Sequence, residues 1–314
     1  METASSSTVE GRATLREYIR NPLPRKEHLT GKAILELCDV VFRPTPALRD
    51  LVDVRRERVF HAAVPARDAI VWCRVEHGEI LDLFRECRSH PGCRYVVIQS
   101  LLADDGTVDR AVLEAMPENV VRVYAKNVAV DSPRVASIPI GRDPRNREVD
   151  DAAPGPLPES RPRLLLSNFA LSTNPGLRRR LYRRYRWRRW VTTVKVRHWG
   201  RYPLSPDQYL QLLRAHAFCL CPPGRGIDTF RTWDALYSGT IPVVSKGLHM
   251  SRFTGLPILS TDDFSDLTPR YLRAARDRIL DAPWDFRLLG LSHWRARILG
   301  DAGRSAPAAR GREA

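Results

Sequence analysis

The sequence lacks the features of a membrane-spanning or exported chain. None of its apolar runs approaches the roughly 18 residues that a transmembrane helix needs. The first ten residues are polar and include Glu2 and Glu10, so they have neither the basic start nor the apolar centre of a secretory signal. N-glycosylation sequences of the Asn-x-Ser/Thr type are also absent. We therefore expect a cytoplasmic protein without a transmembrane segment.

Cysteine is scarce, with six in 314 residues, which is too few for a disulfide framework. Cys219 and Cys221 fall inside an apolar run, so we expect buried free thiols. His216 lies close to both in sequence, but no second Cys/His cluster follows at the spacing of a zinc site. The sequence therefore predicts no metal site.

Two common nucleotide-binding motifs are missing. The phosphate-binding sequence Gly-x-x-x-x-Gly-Lys-[Ser/Thr] does not occur. Gly224 and Gly226 form Gly-x-Gly but lack the third glycine of the dinucleotide fingerprint. The sequence thus gives no support to a P-loop ATPase or a dehydrogenase.

Acidic residues are outnumbered, because 51 lysines and arginines face 36 aspartates and glutamates and leave a net charge of +15. An anionic partner or substrate follows from this charge. Residues 178–189 hold eight arginines and no acid, so about half of the excess is local. Leu177, Leu181 and Tyr185 recur at helical spacing and predict a solvated basic face. Arginines interleaved with aromatic residues also allow a polyanion-binding or nucleic-acid-binding role.

The chain is long enough for two domains, and 43% hydrophobic with 28% charged residues is the composition of a globular protein. Residues 142–162 are rich in proline and predict a linker. We expect a flexible lead (1–27), an N-terminal Rossmann-like domain (28–141), that linker, a C-terminal domain (163–300) and a disordered tail (301–314).

Apolar runs alternate with amphipathic stretches in both blocks, which predicts α/β domains with parallel sheets. The predicted strands are 69–75, 94–99, 120–124, 138–140, 163–167, 190–196, 217–221 and 241–244. The predicted helices are 14–20, 79–87, 108–116, 176–185, 205–215, 229–238 and 268–280. Two doubly wound domains would have a ligand cleft at the carboxyl ends of their strands.

The densest chemical signal lies in residues 217–244. An apolar strand leads into a glycine-rich loop, and a helix with Asp228 as its N-cap and Gly239 as its C′ residue follows. A helix N-terminus beside such a loop suits a phosphate. Arg231 would hold a diphosphate and Asp234 a ribose hydroxyl. Their spacing of three also fits a salt-bridged surface helix.

The run CPPGRGIDTFRTWDALYSGTIPVV at 221–244 closely resembles the donor-site motif of exostosin-like glycosyltransferases, glycosyltransferase family 47. Residues 172–180 resemble the helix start that bears a phosphate-binding arginine in that family. Residues 120–141 are similar to the close of the N-terminal domain in small virus- and alga-type members. The resemblance spans about residues 70 to 275 and implies a GT-B fold, in which two Rossmann-like domains face each other across a cleft.

The sequence departs from the family pattern at three places. Phe230 stands where histidine is usual, and Asp234 stands where glutamate is usual. Residues 99–105 differ from the polar loop of the small members, which leaves the acceptor side and the catalytic base open.

The resemblance implies transfer of a hexosyl or pentosyl group from a nucleotide-diphosphate sugar, with UDP favoured, to a glycan hydroxyl with inversion. The partners are then the nucleotide sugar and the glycan acceptor, no cofactor is needed, and a viral source would place the protein in the host cytoplasm. No Asp-x-Asp occurs anywhere, so we expect metal-independent chemistry. Arg231, with Arg178 or Arg179, would then stabilise the departing diphosphate.

Asp104 and Asp105 are the candidates for the base, because they follow a first-domain strand, although a surface turn explains them as well. The predicted catalytic residues are these two and Arg231. The predicted donor-binding residues are Ser167, Asn168, Arg178, Arg179, Pro223, Gly224, Arg225, Gly226, Asp228, Thr229, Arg231 and Asp234. The alternatives are a nucleic-acid-binding or other polyanion-binding protein that uses residues 178–189 and an inactive scaffold with a transferase-like fold.

Overall fold

A computed structural model describes residues 11–42, 60–61, 63–73, 78–99, 106–146 and 156–304. The chain divides into two compact units. The five-stranded unit comprises the described residues of Met1–His28, Arg145–Gly224 and Phe230–Gly290. The six-stranded unit comprises those of Leu29–Pro144, Arg225–Thr229 and Leu291–Ala314.

Strands and helices alternate along most of the described chain. The strands are β1 Val40–Phe42, β2 Phe60–His61, β3 Ala69–Cys73, β4 Tyr95–Gln99, β5 Val120–Ala125, β6 Val135–Ser137, β7 Arg163–Ala170, β8 Val191–Val196, β9 His216–Leu220, β10 Ile241–Ser245 and β11 Leu259–Thr261. The helices are α1 Leu15–Arg20, α2 Gly31–Leu35, α3 Glu79–Arg88, α4 Arg110–Ala115, α5 Pro175–Tyr185, α6 Pro206–Ala215, α7 Phe230–Tyr237, α8 Leu248–Ser251, α9 Pro269–Asp281 and α10 Leu291–Asp301.

Each unit is built on a parallel sheet. The six-stranded sheet has the order β2-β1-β3-β4-β5-β6, and the five-stranded sheet has the order β11-β10-β9-β7-β8. Strands such as β3 and β4 are buried along their whole length, as strands covered on both faces must be. The predicted α/β class with two doubly wound, Rossmann-like parallel sheets is confirmed.

Two predicted strands end three residues away from where they end in the structure. The predicted strand 138–140 is wrong, because β6 lies three residues earlier. Ile138 still donates its N–H to the carbonyl of Ala125, but Pro139 has no N–H and the ladder stops there. The predicted strand 163–167 is too short, since Asn168, Phe169 and Ala170 continue the pairing with β8.

The end of α7 follows the sequence prediction closely. Gly239 adopts a left-handed φ of +66° at the C′ position. Its N–H bonds to the carbonyl of Leu236, and the N–H of Thr240 bonds to the carbonyl of Ala235. These two bonds form a Schellman motif. A Cβ on Gly239 would lie 2.7 Å from Arg161, so only glycine fits.

Segments from both ends of the chain pack against a unit. In the five-stranded unit, α1 starts with a capping box formed by Thr14 and Glu17. In the six-stranded unit, α10 brings Asp301 to Arg122, with 2.9 Å between Nε and the carboxylate. Residues 15–20 of the predicted lead and Asp301 of the predicted tail thus belong to the folded part of the chain.

His216 at the start of β9 is a core residue. Its Nδ1 lies 2.6 Å from the carbonyl of Leu212, and its Nε2 lies 2.7 Å from the hydroxyl of Thr192. The first contact requires a proton on Nδ1, and the Thr192 hydroxyl can donate to an unprotonated Nε2, so both contacts fit a neutral ring. Burial lowers the pKa of His216. No group of three His, Cys, Asp or Glu side chains in the described residues forms a metal cluster.

We expect acid to destabilise the protein through His216. The unfolded chain binds a proton below about pH 6.5, whereas the folded ring resists it, so this part of the stability is lost as the pH falls through that value. Between pH 7 and pH 5.5, urea unfolding should show a smaller decrease in the free energy of unfolding for His216→Gln than for the native protein. The exposed His198→Gln variant should follow the native protein, and an equal effect of the two substitutions would contradict the assignment.

Candidate functional site

The five-stranded sheet has a topological switch point between β7 and β9. The chain moves from β7 to β8 on one side and then returns to β9 on the other side. The loops at the carboxyl ends of β7 and β9 therefore diverge and leave a crevice in which ligands of such sheets bind. The glycine-rich loop of the sequence motif follows β9 directly.

Arg178 in α5 spans this switch point. Its Nη1 donates to the carbonyl of Ala170 at 3.1 Å and to the hydroxyl of Thr173 at 2.6 Å, both at the end of β7. Its Nε donates to the carbonyl of Pro223 at 3.0 Å, and its Nη2 to that of Pro222 at 2.8 Å. One buried guanidinium thus joins the two loops that define the crevice.

The charge of Arg178 has no carboxylate partner among the described residues. The side chain is buried, and its hydrogen-bond acceptors are three carbonyls and a hydroxyl. Burial, and then the nearby cation of Arg231, lower the pKa of Arg178 to about 9. The group therefore stays charged at pH 7, and a buried cation without a counter-ion favours an anion nearby.

Arg231 in the first turn of α7 supplies the second cation. Its Nε is buried and has no hydrogen-bond acceptor in the part of the chain that the structure describes. A buried donor without a partner is uncommon in proteins. Arg231 lies near enough to Arg178 to lower its pKa, so the two positive charges share one region of the crevice.

The helix that carries Arg231 is a core helix. Six of its eight residues are buried, and Asp234 is only 1% exposed. The hydroxyl of Tyr209 lies 3.5 Å from the Asp234 carboxylate. The alternative of a salt-bridged surface helix is therefore wrong for α7.

The middle of the glycine-rich loop, Arg225–Thr229, belongs to the six-stranded unit. The N–H of Asp228 donates to Oδ1 of Asn127 at 3.0 Å, and Oδ2 of Asp228 accepts the N–H of Ile140 at 2.8 Å. Asn127 follows β5 and Ile140 follows β6. The loop is thus fixed at the carboxyl ends of two strands of that sheet.

Asn127 is itself held in place. Its Nδ2 donates to the carbonyl of Gly106 at 3.3 Å, which also accepts Nε2 of the buried Gln99 at 2.6 Å. A Cβ on Gly226 would lie 2.5 Å from Nδ2 of Asn127. The sequence requires glycine at 226 because the loop backbone presses against this fixed amide.

Asp228 differs from its predicted role. Because α7 begins at Phe230, Thr229 occupies the N-cap position and Asp228 lies one residue before it. The carboxylate of Asp228 accepts the N–H of Thr229 at 2.7 Å as well as that of Ile140. The sequence could not show the second bond, because Ile140 is 88 residues away.

The remaining predicted site residues are spread over several environments. Ser167 and Asn168 are buried inside β7, because the strand continues to Ala170 instead of ending at residue 167 as predicted. Arg179 and Arg225 are exposed, whereas Pro223, Gly224 and Thr229 are half-buried. The two candidate bases, Asp104 and Asp105, lie outside the described residues.

The basic stretch is not arranged as the sequence indicates. The buried positions of α5 are Arg178, Leu181 and Tyr185, so an arginine takes a place in the stripe where Leu177 was predicted. The other seven arginines of 178–189 are exposed. Arg186 lies over the rings of Trp187 and Tyr182, with 5.1 and 5.9 Å to their centroids. The exposure of these seven arginines confirms the predicted solvated basic face.

Sequence reasoning missed Asn127, Ile140 and Thr173. All three follow the carboxyl end of a strand, where ligand-binding loops of parallel sheets lie. Asn127 sits at such an end as a polar residue in an apolar run, which is the signal that could have found it. Nothing in the sequence singles out Ile140, which acts through its backbone.

Removing the Arg178 side chain should destabilise the five-stranded unit. Arg178→Ala leaves the carbonyls of Pro222 and Pro223 without their Arg178 donor, and we expect a loss of about 2–4 kcal/mol in the free energy of unfolding. Arg179→Ala, which changes an exposed neighbour, should stay within about 0.5 kcal/mol of the native protein. Urea unfolding measures both, and equal values would contradict the role of Arg178 as a structural link.

Gly226 and Asn127 should be energetically coupled. We expect Gly226→Ala to cost about 1–2 kcal/mol, because the new Cβ meets the Asn127 amide. In an Asn127→Ala background the same change should cost clearly less. Gly176→Ala is the matched control, since a Cβ there meets no atom within 4 Å. Additive costs in the double-mutant cycle would show that the contact is not formed.

Comparisons with known proteins show one family match and two solved structures of low similarity. The Exostosin GT47 domain model matches residues 92–255, slightly more than half of the chain. A UDP-forming α,α-trehalose-phosphate synthase from Burkholderia xenovorans is 14% identical, with 78% of this chain and 75% of that chain covered and a TM-score of 0.41. An α1,3-fucosyltransferase is also 14% identical, with 79% and 74% covered and a TM-score of 0.34. None of the curated proteins matches the chain.

The family match includes the loop 225–229 and Asn127 of the six-stranded unit, and it includes Arg178 and Arg231 of the five-stranded unit. Among the described residues, no helix is long and apolar enough to cross a membrane. The chain belongs to the exostosin GT47 family of glycosyltransferases.

Proposed function

We propose that the protein transfers a hexosyl or pentosyl group from a nucleotide-diphosphate sugar to a glycan hydroxyl, with inversion and without a metal ion. UDP is the favoured nucleotide. The observation that carries this proposal is the pair of guanidiniums in the crevice of the five-stranded unit. Arg178 has no carboxylate partner in the described chain, and the buried Nε of Arg231 has no acceptor there.

A diphosphate would meet the unsatisfied needs of both arginines. Its oxygens would accept the Nε–H of Arg231, and its negative charge would offset two cations that lie close together. Most N–H groups of Arg178 already donate to protein carbonyls, so Arg178 acts mainly by its charge and by fixing the loop at Pro222 and Pro223. Arg231 is therefore the residue we assign to direct contact with the leaving group.

The reaction is a single displacement at the anomeric carbon. The acceptor oxygen forms a bond to that carbon while the bond to the diphosphate oxygen breaks, and the diphosphate leaves with the electron pair. Asp104 or Asp105 would take the proton of the acceptor hydroxyl. Arg231 would stabilise the charge that grows on the diphosphate in the transition state.

Asp234 is assigned to the ribose of the nucleotide. Its carboxylate is buried about one helical turn after Arg231, so both residues lie on the same face of α7. We also assign Arg225, Gly226, Asp228 and Thr229 to donor binding, through the backbone of their loop. We assign Arg179, Ser167 and Asn168 weaker roles in donor binding, because the first is exposed and the others lie within β7.

Nucleotide binding by the Arg231→Ala variant tests the proposal. UDP or GDP should raise the melting temperature of the native protein, and the variant should bind the same nucleotide about 10- to 100-fold more weakly, since it loses a charge-assisted hydrogen bond. The loss in kcat/KM should be larger, about 100- to 1000-fold, because charge develops in the transition state. Addition of EDTA should change neither value.

Arg180→Ala is the matched control, since it removes an exposed arginine from the same basic stretch and should bind nucleotide like the native protein. A short oligonucleotide serves as the competing ligand. If it stabilised the protein in a salt-sensitive manner while nucleoside diphosphates had no effect, the transferase proposal would be wrong and polyanion binding would be favoured.

A further inference from the structure

An exposed tryptophan lies in the loop after β8, at the carboxyl end of the same sheet. Trp199 follows the carboxyl end of β8, the strand beside β7, and its side chain is 55% exposed. Loops at this edge of a parallel sheet form the ligand site. Since neighbouring strands are about 4.8 Å apart, the ends of β8 and β9 are separated by about 10 Å across β7.

The backbone that presents Trp199 is fixed. Residues 198–201 form a tight turn closed by a hydrogen bond from the N–H of Arg201 to the carbonyl of His198 at 3.3 Å. Gly200 adopts a φ of +82°, as the third residue of a type II turn requires. Trp199 occupies the second position of this turn, so a rigid loop displays a large aromatic side chain.

Hydrogen bonds attach this turn and Arg178 to adjacent residues of the segment after β7. The N–H of Trp199 donates to the hydroxyl of Ser172 at 3.1 Å. The next residue, Thr173, accepts a hydrogen bond from Arg178. Tyr202, which follows the turn, is close enough to Arg178 to influence its pKa. Trp199 and Arg178 are thus fixed to the same short segment after β7.

We infer that Trp199 stacks on the base of the donor nucleotide, while Arg231 binds its diphosphate. This inference rests on the proposed function. A nucleoside diphosphate has a charged end and a flat aromatic end, and this edge of the sheet carries two cations beside the loops after β7 and β9 and an exposed aromatic ring after β8. Stacking on a ring that the fold already holds in position requires little further ordering.

Calorimetric titration with UDP and with inorganic pyrophosphate tests Trp199 directly. Trp199→Ala should bind UDP about 5- to 100-fold more weakly, which is the loss expected for one base–aromatic stack. Its affinity for pyrophosphate should equal that of the native protein, because the arginines are unchanged. Trp199→Phe should recover most of the UDP affinity, since it keeps an aromatic face.

Trp187→Ala is the matched control. Trp187 is 81% exposed and precedes β8, so it lies at the opposite end of the same strand and should not affect UDP binding. The inference would be overturned if Trp199→Ala bound UDP as tightly as the native protein, or if it lost affinity for UDP and for pyrophosphate by the same factor. An increase in the KM of the acceptor alone would also overturn it. A native protein that bound neither UDP nor GDP would overturn the proposed function as well.

Discussion

The guanidinium of Arg178 is the contact on which the crevice of the five-stranded unit depends. The strands β7 and β9 are hydrogen-bonded neighbours, but the loops that follow them diverge, so a side chain has to connect them. Arg178 donates to three carbonyls and to Thr173 from one planar group. A lysine could not reproduce this pattern, because its ammonium is a single point rather than a fork.

This arrangement links structure to charge. An apolar side chain at position 178 would fill the same stripe of α5 but would leave the carbonyls of Pro222 and Pro223 without this donor. The arginine satisfies them and leaves a positive charge that burial makes costly, as its lowered pKa of about 9 shows. With Arg231 nearby, an anion would offset two cations at once. The fold and the proposed ligand preference would then have the same physical origin.

Much of the fold could be predicted from local patterns. Short apolar runs with intervening amphipathic stretches correctly indicated parallel strands, and Gly239 correctly marked the end of α7. The errors occurred where contacts between distant residues, or a proline, determine the end of a strand. Asn168 to Ala170 remain in β7 because β8 pairs with them, and β6 ends before Pro139 because proline cannot donate. The short strands β1, β2 and β11 have two or three residues, too few to show a period.

The site was predictable to the extent that it lies in one continuous motif. The glycine loop and Arg231 are adjacent in sequence, whereas the partners that hold the loop, Asn127 and the backbone of Ile140, are about 100 and 88 residues distant. Spacing alone made Asp228 a helix cap, but its carboxylate fixes the loop to another strand end. A glycine motif therefore identifies a close approach of the backbone, and the structure shows that at Gly226 the approach is to Asn127. The loop owes its shape to that amide before any ligand binds.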